Sequence, residues 1–398
     1  MGKKPFSLFL LLLLVFCFAF QALADGEVLR IGDKGPKIAE MKKRLQALRY
    51  IQKGGLTKVF TEDTARALRE FQRMNGLPET GELDAETAAL LYSDAALALP
   101  HPTLPPLRAE SPTPQVDWPE RTAEGFLAGE GEYFYENDQE GFWCYLSPRL
   151  WIEITKKTDA SIPLEWFETE IRTRDGEMFR TVATDPAHPG RKFRYPYAIA
   201  RDEGFVLGFS DDFYATRMSR KETVGIIIRN GQVLSQNTNR TRGHHLPNLD
   251  MMAFYPDGSL AVYACNELTA EELVGKGAVD VFSFGPILIR DGEIEEMIYT
   301  WFKSLEPRQA LGMIAPGHYF LLSVQGRTKT SKGTTLQRVA EMMKARGVIQ
   351  ALNLDGGNTM ALIFRGRMLN KLATYKRKSF VRTVTSLIGI GSTGNQAD

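Results

Sequence analysis

The strongest constraint on this chain is a run of prolines that divides it. Seven of its 20 prolines lie between Pro100 and Pro119. Because proline fixes φ and removes a backbone hydrogen-bond donor, this stretch should be an extended, semi-rigid spacer. We assign residues 94–125 to the spacer. A chain of 398 residues is also too long for one small domain, so the sequence predicts separate folded regions on either side.

The chain begins with the features of a secretory signal peptide. Lys3 and Lys4 precede an unbroken apolar run over residues 8–20, which is too short for a comfortable membrane span. Residues 22–24, Ala-Leu-Ala, supply a small-x-small cleavage pattern. The sequence therefore predicts that residues 1–24 are removed and that the mature chain is exported to the periplasm, the cell wall or the medium. An uncleaved N-terminal anchor is the alternative.

Export bears on the cysteines, because thiols can pair outside the cytoplasm. The mature chain keeps Cys144 and Cys265. The sequence does not decide between a disulfide and two separate thiols, and two cysteines do not make a zinc site.

Residues 25–93 carry the pattern of three short helices. The first follows Gly35-Pro36, and the second follows Thr61, whose hydroxyl can cap it. Asp84 can cap the third. Each segment has one apolar stripe, so the sequence predicts a compact three-helix bundle. The stripes contain Ile38, Met41, Leu45 and Leu48, then Ala65, Leu68 and Phe71, then Leu90 and Leu91.

The same region has a specific joint spacing of core and turn residues. The spacing runs through GDKGPKIAEMKKRLQALRYI (32–51) and FTEDTARALREFQRMNGLPETGELDAETAALL (60–91). In this spacing the region resembles the peptidoglycan-binding domain type 1 repeat. The resemblance implies that peptidoglycan or another cell-wall glycan is a partner.

Residues 130–393 consist mainly of strand-forming sequence. Runs such as LWIEIT, HYFLLSVQG and TSLIGIG are punctuated by turn dipeptides, among them Asn230-Gly231 and Asp291-Gly292. Helices are predicted over residues 334–347, with Thr334 or Thr335 as the cap, and around residues 269–277. The predicted fold class is α+β, in which the small helical bundle and the spacer precede a larger domain with a mixed or antiparallel sheet system and few helices.

The sharpest polar motif in this region is NLDGGN, residues 353–358, which lies between two apolar segments. Paired glycines allow the backbone to approach a ligand closely and can offer N–H groups to an anion. Asp355 has the chemistry of an acid, a base, a nucleophile or a metal ligand. The residues alone leave open a plain hairpin turn in which Asp355 bonds to its own backbone.

Further segments stand in a fixed order around this motif. They are FSDDFY (209–214), GIIIRNGQVL (225–234), FSFGPILIRDG (282–292), EPRQALGMI (306–314) and VQGRTKTSKGTTLQRVAEMMKARG (324–347), followed by Asn370 and Arg382. Together with NLDGG they resemble the phosphodiester glycosidase family, which includes N-acetylglucosamine-1-phosphodiester α-N-acetylglucosaminidase. The chain departs from the family pattern at Ser210, Asp211, Gln309, Gln325 and Asn358.

The resemblance implies cleavage of a sugar-1-phosphodiester. Such a reaction needs a carboxylate that attacks carbon or activates water, for which Asp355 is the first candidate and Asp212 the second. It also needs cations for the phosphate. Arg308, Arg327 and Arg382 are the candidates, because a guanidinium can grip two oxygens at once, although an ordinary ion pair is the alternative for each. The other predicted substrate- or phosphate-binding residues are Asn353, Gly356, Gly357, Asn358 and Asn370.

The sequence contains no complete metal or cofactor site. Adjacent histidines usually point apart, and we interpret His244 and His245 as part of an exposed loop. The acidic turns could supply some ligands for Ca²⁺ or Mg²⁺ but not a full set, so no cofactor is required and a divalent cation stays open. With 49 Lys+Arg against 48 Asp+Glu, the net charge gives no reason to expect nucleic acid as a partner.

These features predict an exported, wall-associated phosphodiester glycosidase that acts on a GlcNAc-1-phosphate-like linkage in a wall or surface glycan. A glycan-binding protein without turnover is the first alternative, motivated by the residues at Gln309, Gln325 and Ser210. A peptidoglycan hydrolase of another class is the second, and it would need a zinc triad or a Cys-His pair.

Overall fold

The computed structural model describes residues 27–51, 56–188, 191–211, 225–237, 249–300 and 302–392. The chain divides into two compact units, residues 1–103 and 104–398. The predicted signal peptide, residues 1–24, lies outside the described residues. In the ranges described, no helix has both the length and the apolar character needed to cross a membrane.

The first unit is helical, as the sequence predicts. It contains α1 (Pro36–Ala47), α2 (Glu62–Met74) and α3 (Ala85–Leu91). The Thr64 side chain accepts a hydrogen bond from the Thr61 N–H at 3.2 Å, and Asp84 Oδ1 accepts from the Thr87 N–H at 2.8 Å. The three apolar stripes share one core, which includes Ile38, Met41, Leu45, Phe60, Leu68, Phe71 and Leu91.

The first part of the proline-dense spacer is bonded within the first unit, and its centre, at Arg108, is bonded within the second. In the first unit, the Leu99 N–H donates to the Leu48 carbonyl at 3.0 Å. In the second, the Arg108 N–H donates to Asp159 Oδ2 at 2.8 Å, directly before a two-residue strand. The middle of the spacer is rich in proline and contains no helix among its described residues, as expected for a segment poor in N–H donors.

The second unit consists mainly of strands. The first eleven are β1 (Ala109–Glu110), β2 (Tyr133–Asn137), β3 (Phe142–Leu146), β4 (Leu150–Asp159), β5 (Leu164–Thr173), β6 (Arg180–Ala183), β7 (Leu207–Phe209), β8 (Gly225–Arg229), β9 (Gln232–Asn237), β10 (Asp250–Phe254) and β11 (Leu260–Tyr263). The others are β12 (Asp280–Phe284), β13 (Ile287–Arg290), β14 (Glu293–Ile294), β15 (Arg308–Ala315), β16 (His318–Val324), β17 (Gln350–Leu354), β18 (Leu362–Phe364), β19 (Arg367–Met368), β20 (Thr374–Tyr375), β21 (Lys378–Ser379) and β22 (Ser386–Ile390). The helices are α4 (Pro196–Asp202), α5 (Ala270–Gly275) and α6 (Leu336–Ala345), with a 3₁₀ turn at Glu296–Tyr299.

The strands form three large sheets and one small hairpin. The orders are β14-β13-β17-β15-β16-β5-β4-β3-β2 with β1 beside β4, then β11-β10-β12-β8-β9, then β19-β18-β7-β22-β6, and the β20-β21 hairpin. Every strand pairing in the described part of the chain is antiparallel. The α+β class is confirmed, and of the two sheet types left open by the sequence, the antiparallel one occurs.

The central strands of the largest sheet, β15, β16 and β17, are buried on both faces, and because strand side chains alternate, each face packs against its own apolar cluster. Ala310 of β15 and Ala351 of β17 face one apolar cluster, while the next residues, Leu311 and Leu352, face another. The first cluster is completed by Leu336, Val339, Ala340 and Met343 of α6, which follows its predicted cap, Thr335. The second is completed by the other two sheets. Burial on both faces holds the central strands rigidly, which is what a site at their ends requires.

Three loops meet at one end of these central strands. Gln309, near the start of β15, pairs with Leu354 at the end of β17. Arg308 pairs with Val324 at the end of β16. The segments before β15, after β16 and after β17 are therefore neighbours, and each of them contains one of the motifs singled out above.

Candidate active site

The turn that follows β17 is fixed by its backbone. The Asp355 N–H donates to the Asp211 carbonyl at 3.3 Å, and the Gly357 N–H donates to the Pro307 carbonyl at 3.0 Å. The Thr359 N–H closes the turn on the Gly356 carbonyl at 3.0 Å. Asp355 therefore lies where the chain after β7 meets the chain after β17.

Glycine is required at both of these positions of the turn for a physical reason. A Cβ on Gly356 would lie 2.4 Å from the Pro307 carbonyl oxygen, so only glycine allows this close approach. Gly357 has φ +56, in the left-handed region. The pair thus lets the turn pack directly against the segment that precedes β15.

Arg327 extends over the paired glycines. Its Nη1 donates to Asn358 Oδ1 at 2.7 Å, and its Nη2 pairs with Glu306 Oε2 at 2.5 Å. The same Nη1 lies 3.6 Å from the point that a Cβ on Gly357 would occupy. One third of the side chain is exposed, so the guanidinium is both oriented and reachable from solvent.

Arg308 is held in a different way. Its Nη2 donates to the Ser304 carbonyl at 3.1 Å, and its Nε donates to the Thr334 carbonyl at 3.3 Å. Burial lowers the pKa of Arg308 to about 10, although Glu306 opposes the shift. The side chain is therefore still protonated at neutral pH, and it braces two loops next to Arg327.

The other predicted polar residues surround the same turn. Arg382 Nη1 donates to Thr359 Oγ1 at 3.2 Å. Asn370 accepts from the Leu362 N–H at 2.8 Å and donates to the Met360 carbonyl at 3.0 Å. Asn353 Nδ2 donates to the Gly285 carbonyl at 2.9 Å. The hydrogen bonds of both asparagines join backbone segments, so these two side chains support the shape of the turn.

The second predicted carboxylate, Asp212, lies outside the described residues, as do His244 and His245. Its neighbour Asp211 is described and is 2% exposed. Asp211 Oδ1 accepts from the Ser386 hydroxyl at 3.2 Å, and Oδ2 lies 3.8 Å from Arg229 Nη2. The Asp211 carbonyl also accepts from the Asp355 N–H, so Asp211 lies immediately beside the turn.

Sequence reasoning did not single out two of these groups. Glu306 neutralises Arg327 across the loop junction, and Arg229 approaches the buried Asp211. The only sequence signal for Glu306 is an acidic residue two positions before Arg308 in the EPRQ motif. Arg229 ends a buried strand, where a charged side chain needs a partner.

Two departures from the family pattern form buried hydrogen-bond networks. Gln309 is fully buried; its Oε1 accepts from the Ser210 hydroxyl at 2.6 Å, and its Nε2 donates to Ser323 Oγ at 2.8 Å. Gln325 Nε2 donates to Glu165 Oε2 at 2.9 Å, and its Oε1 accepts from the Lys371 N–H at 2.7 Å. Both glutamines thus bridge elements beneath the site, where each of their polar atoms has a partner.

The described residues contain neither a disulfide nor a cluster of metal ligands. Cys144 and Cys265 do not form a disulfide, so the alternative of separate thiols holds. Burial raises the pKa of the Cys144 thiol to about 12, which keeps it in the unreactive protonated form. Among the described residues, no group of three or more His, Cys, Asp or Glu side chains is placed to hold a metal ion.

Comparisons with known proteins confirm both resemblances. Residues 203–391 match the family model described as phosphodiester glycosidase, and residues 34–91 match that of a putative peptidoglycan binding domain. The SPbeta prophage-derived uncharacterized protein YomE of Bacillus subtilis (strain 168) is 29% identical over 249 residues, 58% of this chain and 37% of that protein. The N-acetylglucosamine-1-phosphodiester alpha-N-acetylglucosaminidase of Bos taurus is 25% identical over 218 residues, 49% of this chain and 39% of that protein.

Among solved structures, one similar chain is the zebrafish N-acetylglucosamine-1-phosphodiester alpha-N-acetylglucosaminidase catalytic domain auto-inhibited by its pro-peptide. The similarity has a TM-score of 0.47 and 19% sequence identity, and it covers 62% of this chain and 85% of that one. The present chain thus spans less than two fifths of the length of each curated relative it matches.

Proposed function

We propose that the chain is an exported hydrolase of a sugar-1-phosphodiester in a wall or surface glycan. Two matches support this proposal: residues 203–391 match phosphodiester glycosidase, and residues 34–91 match a putative peptidoglycan-binding domain. In this proposal the helical unit holds the protein on peptidoglycan. The second unit breaks the bond between the sugar C1 and the phosphate oxygen. The N-acetylglucosamine-1-phosphodiester alpha-N-acetylglucosaminidase activity of the bovine relative motivates a GlcNAc-1-phosphate-like linkage as the substrate class.

One observation carries the proposal. Three features lie together at one end of the central strands. They are a carboxylate that follows a strand buried on both faces, a paired-glycine turn and an oriented arginine. Arg327 reaches over Gly357, and Asp355 opens the same turn. An anionic phosphate can accept from the arginine while the sugar carbon faces a carboxylate, which is the pairing that this reaction needs.

The chemistry fits the residue types. A phosphate is already a good leaving group, so its departure needs less acid assistance than that of an alcohol. Asp355 either attacks the sugar carbon or takes a proton from the attacking water, and Asp212 is the second candidate for the carboxylate that completes the reaction. Arg327 is the first candidate for phosphate binding because its guanidinium is oriented and partly exposed. Arg308 donates to backbone carbonyls of the neighbouring loops, and Arg382 donates to the Thr359 hydroxyl.

The alternative of a glycan-binding protein without turnover was motivated by Gln309, Gln325 and Ser210, and the structure gives these residues another role. All three are buried bridges within the fold and are not substitutions of exposed site residues. The alternative of a cysteine-dependent wall hydrolase is disfavoured by the buried, high-pKa Cys144. These points support turnover over binding alone.

A turnover assay tests the proposal. The chain from residue 25 onward is incubated with the methyl phosphodiester of α-GlcNAc-1-phosphate, and free sugar is measured. Asp355→Asn keeps the size of the side chain and removes its charge, so it should release no sugar. Asp175→Asn is the matched control, because Asp175 is exposed and asparagine tolerates its left-handed backbone, φ +52.

The outcomes separate clearly. Release by the wild type and by Asp175→Asn, but not by Asp355→Asn, supports the proposal. Absence of release from the folded wild type, with several α-linked sugars and with Ca²⁺ or Mg²⁺ added, overturns it. Export is tested separately by N-terminal sequencing of the protein from the wall fraction, where a start at Asp25 is expected and an intact Met1 would contradict it.

A further inference from the structure

A short hairpin beside the site has an unusual tip. The strands β20 and β21 are joined by Lys376 and Arg377, whose φ values are +47 and +65. Two successive positive φ values define a type I′ turn, in which Asn-Gly is the preferred sequence. Here two long cations occupy the positions instead. Such a backbone is strained for non-glycine residues, and an observed strain of this kind motivates a functional explanation.

The hairpin lies in a segment of the chain whose charged residues are all positive. No Asp or Glu occurs between Asp355 and Asp398, whereas seven Lys or Arg residues do. Two of the cations that precede the hairpin have carboxylate partners: Arg367 pairs with Asp138 at 2.8 Å, and Lys371 pairs with Glu165 at 2.9 Å.

Cations on the hairpin itself are in a different situation. Lys376, Arg377 and Lys378 are exposed, and no carboxylate of the described residues forms an ion pair with them. Two aromatic side chains beside them, Tyr375 and Phe380, are each 43% exposed. The Lys376 ammonium lies over the Tyr375 ring, 5.5 Å from its centroid. The surface therefore offers three cations without a carboxylate partner and two partly exposed aromatic rings.

The base of the hairpin is bonded to the candidate active site. The Thr374 N–H donates to the Arg327 carbonyl at 3.1 Å. Asn358 Nδ2 donates to the Ala373 carbonyl at 2.7 Å. The residue proposed to bind phosphate and the turn that follows Asp355 thus both hold the strand that leads to Lys376. A ligand that leaves the site on this side passes along the hairpin.

We infer that the hairpin, residues 374–379, binds a polymer of repeating phosphodiester groups that continues from the scissile linkage. The inference rests on the proposed function and names its substrate class, a glycan sugar joined through phosphate to a polyphosphodiester chain. Lys376, Arg377 and Lys378 pair with successive phosphates, and the exposed rings pack against the units between them. A membrane or a nucleic acid is disfavoured because the hairpin is bonded to a site built for the end of a glycan.

A binding experiment tests the hairpin without turnover. In an Asp355→Asn background, the probe is end-labelled poly(glycerol phosphate), and its affinity is measured by fluorescence anisotropy. The variant K376Q/R377Q/K378Q should bind about tenfold more weakly, the effect of three exposed ion pairs acting together. Its affinity should also depend less on salt, because fewer counterions are released. The matched control is R191Q/K192Q/K276Q, which removes three exposed cations elsewhere in the second unit.

Each result decides the inference. Weaker binding of poly(glycerol phosphate) by the hairpin variant, with the control variant unchanged, supports it. Equal affinities of the two variants overturn it. An equal loss of affinity for hyaluronate, whose charges are carboxylates, overturns the assignment to phosphodiesters. A loss confined to phosphatidylglycerol vesicles or single-stranded DNA overturns it in favour of those partners.

A turnover experiment then separates this inference from the proposed function. The wild type and the hairpin variant are compared on the methyl phosphodiester of α-GlcNAc-1-phosphate and on α-GlcNAc-1-phosphate joined to poly(glycerol phosphate). The ratio of kcat/KM on the polymer to kcat/KM on the short substrate should fall about tenfold in the variant. An unchanged ratio overturns the inference. If the wild type turns over neither substrate, the proposed function fails, while the anisotropy result still decides whether the hairpin binds the polymer.

Discussion

Arg327 and Asn358 are joined by a 2.7 Å hydrogen bond although 31 residues separate them in the chain. The bond ties the loop after β16 to the turn after β17. Because Glu306 holds the other side of the same guanidinium, a third segment, before β15, is fixed to the same point. The position of Arg327 is therefore set by three loops, each of which starts or ends at a buried central strand.

Replacing Arg327 by lysine should damage turnover strongly while the fold is retained. An ammonium cannot contact Glu306 and Asn358 while also presenting a planar pair of donors to phosphate. Loss of one charge-assisted contact corresponds to a drop of about 10- to 100-fold in kcat/KM for the methyl phosphodiester of α-GlcNAc-1-phosphate. The exposed Arg149→Lys is the control. A lysine variant as active as the wild type would show that Arg327 only braces its loop.

The close approach of Gly356 to the Pro307 backbone predicts a second effect. In Gly356→Ala the new Cβ would lie 2.4 Å from the Pro307 carbonyl oxygen, so the turn must move away from β15. A displacement near 1 Å can lower a rate by about 100-fold, and we expect that order of loss in kcat/KM. Gly275→Ala is a suitable control, because a Cβ there meets nothing within 4 Å. A fully active Gly356→Ala would refute the requirement for this close packing.

Gln309 offers a test of stability that does not depend on catalysis. Threonine is too short to reach both Ser210 and Ser323. Gln309→Thr should therefore leave buried polar groups unsatisfied and lower the free energy of unfolding by about 1–3 kcal/mol. All five tryptophans lie in residues 104–398, so urea unfolding followed by tryptophan fluorescence reports on the second unit alone. A variant as stable as the wild type would show that water or a rearranged Ser323 replaces the bridge.

Local chemistry allowed the sequence to predict much of the fold. Thr61, Asp84 and Thr335 each precede the helix they were expected to begin. The Asn230-Gly231 and Asp291-Gly292 turns have positive φ at both residues, as type I′ hairpins require. These features depend on a few neighbouring residues, so a single sequence contains the information for them.

Long-range partners were not predictable in the same way. The pairing of Arg327 with Glu306 depends on how β15 and β16 are joined in the sheet, which no local pattern encodes. Gln309 was interpreted as a departure from the family, yet in the fold it bridges three segments. The short helix α4, Pro196–Asp202, was also not predicted, because seven residues hold too little periodicity to be recognised.

The lowered pKa of Glu170 predicts how the stability of the fold changes in acid. Its Oε1 lies 3.0 Å from His318 Nε2 and 2.9 Å from Arg172 Nη2. The contact with His318, reinforced by Arg172, lowers the pKa of Glu170 from 4.5 to about 2. Since the folded-state pKa lies below the unfolded one, the carboxylate stabilises the fold above about pH 4.5, and this contribution is lost as the pH falls towards 2.

The measurement is the urea midpoint of the wild type and of Glu170→Gln across that pH window. The variant should be less stable near neutral pH, and the difference should shrink as the pH falls. Glu271→Gln, at an exposed position, should track the wild type throughout. A difference between wild type and Glu170→Gln that stays constant with pH would contradict the lowered pKa.

The helical unit gives a prediction about wall binding that is independent of the catalytic chemistry. Its surface holds a 760 Å³ pocket lined in part by Tyr50, Asp63 and Arg66. Asp63 and Arg66 form an ion pair at 2.6 Å and are 80% and 72% exposed, so removing both charges should change stability little. Peptidoglycan carries both carboxylates and amines, and an exposed pair of opposite charges at a pocket suits such a ligand.

Asp63→Asn combined with Arg66→Gln should therefore reduce the fraction of the protein that sediments with insoluble peptidoglycan. The matched control removes the Lys37–Glu27 pair, which has the same chemistry but does not line the pocket. Equal sedimentation of the two variants would place the glycan contact elsewhere on the unit, whereas a loss confined to the first variant would assign it to this pocket.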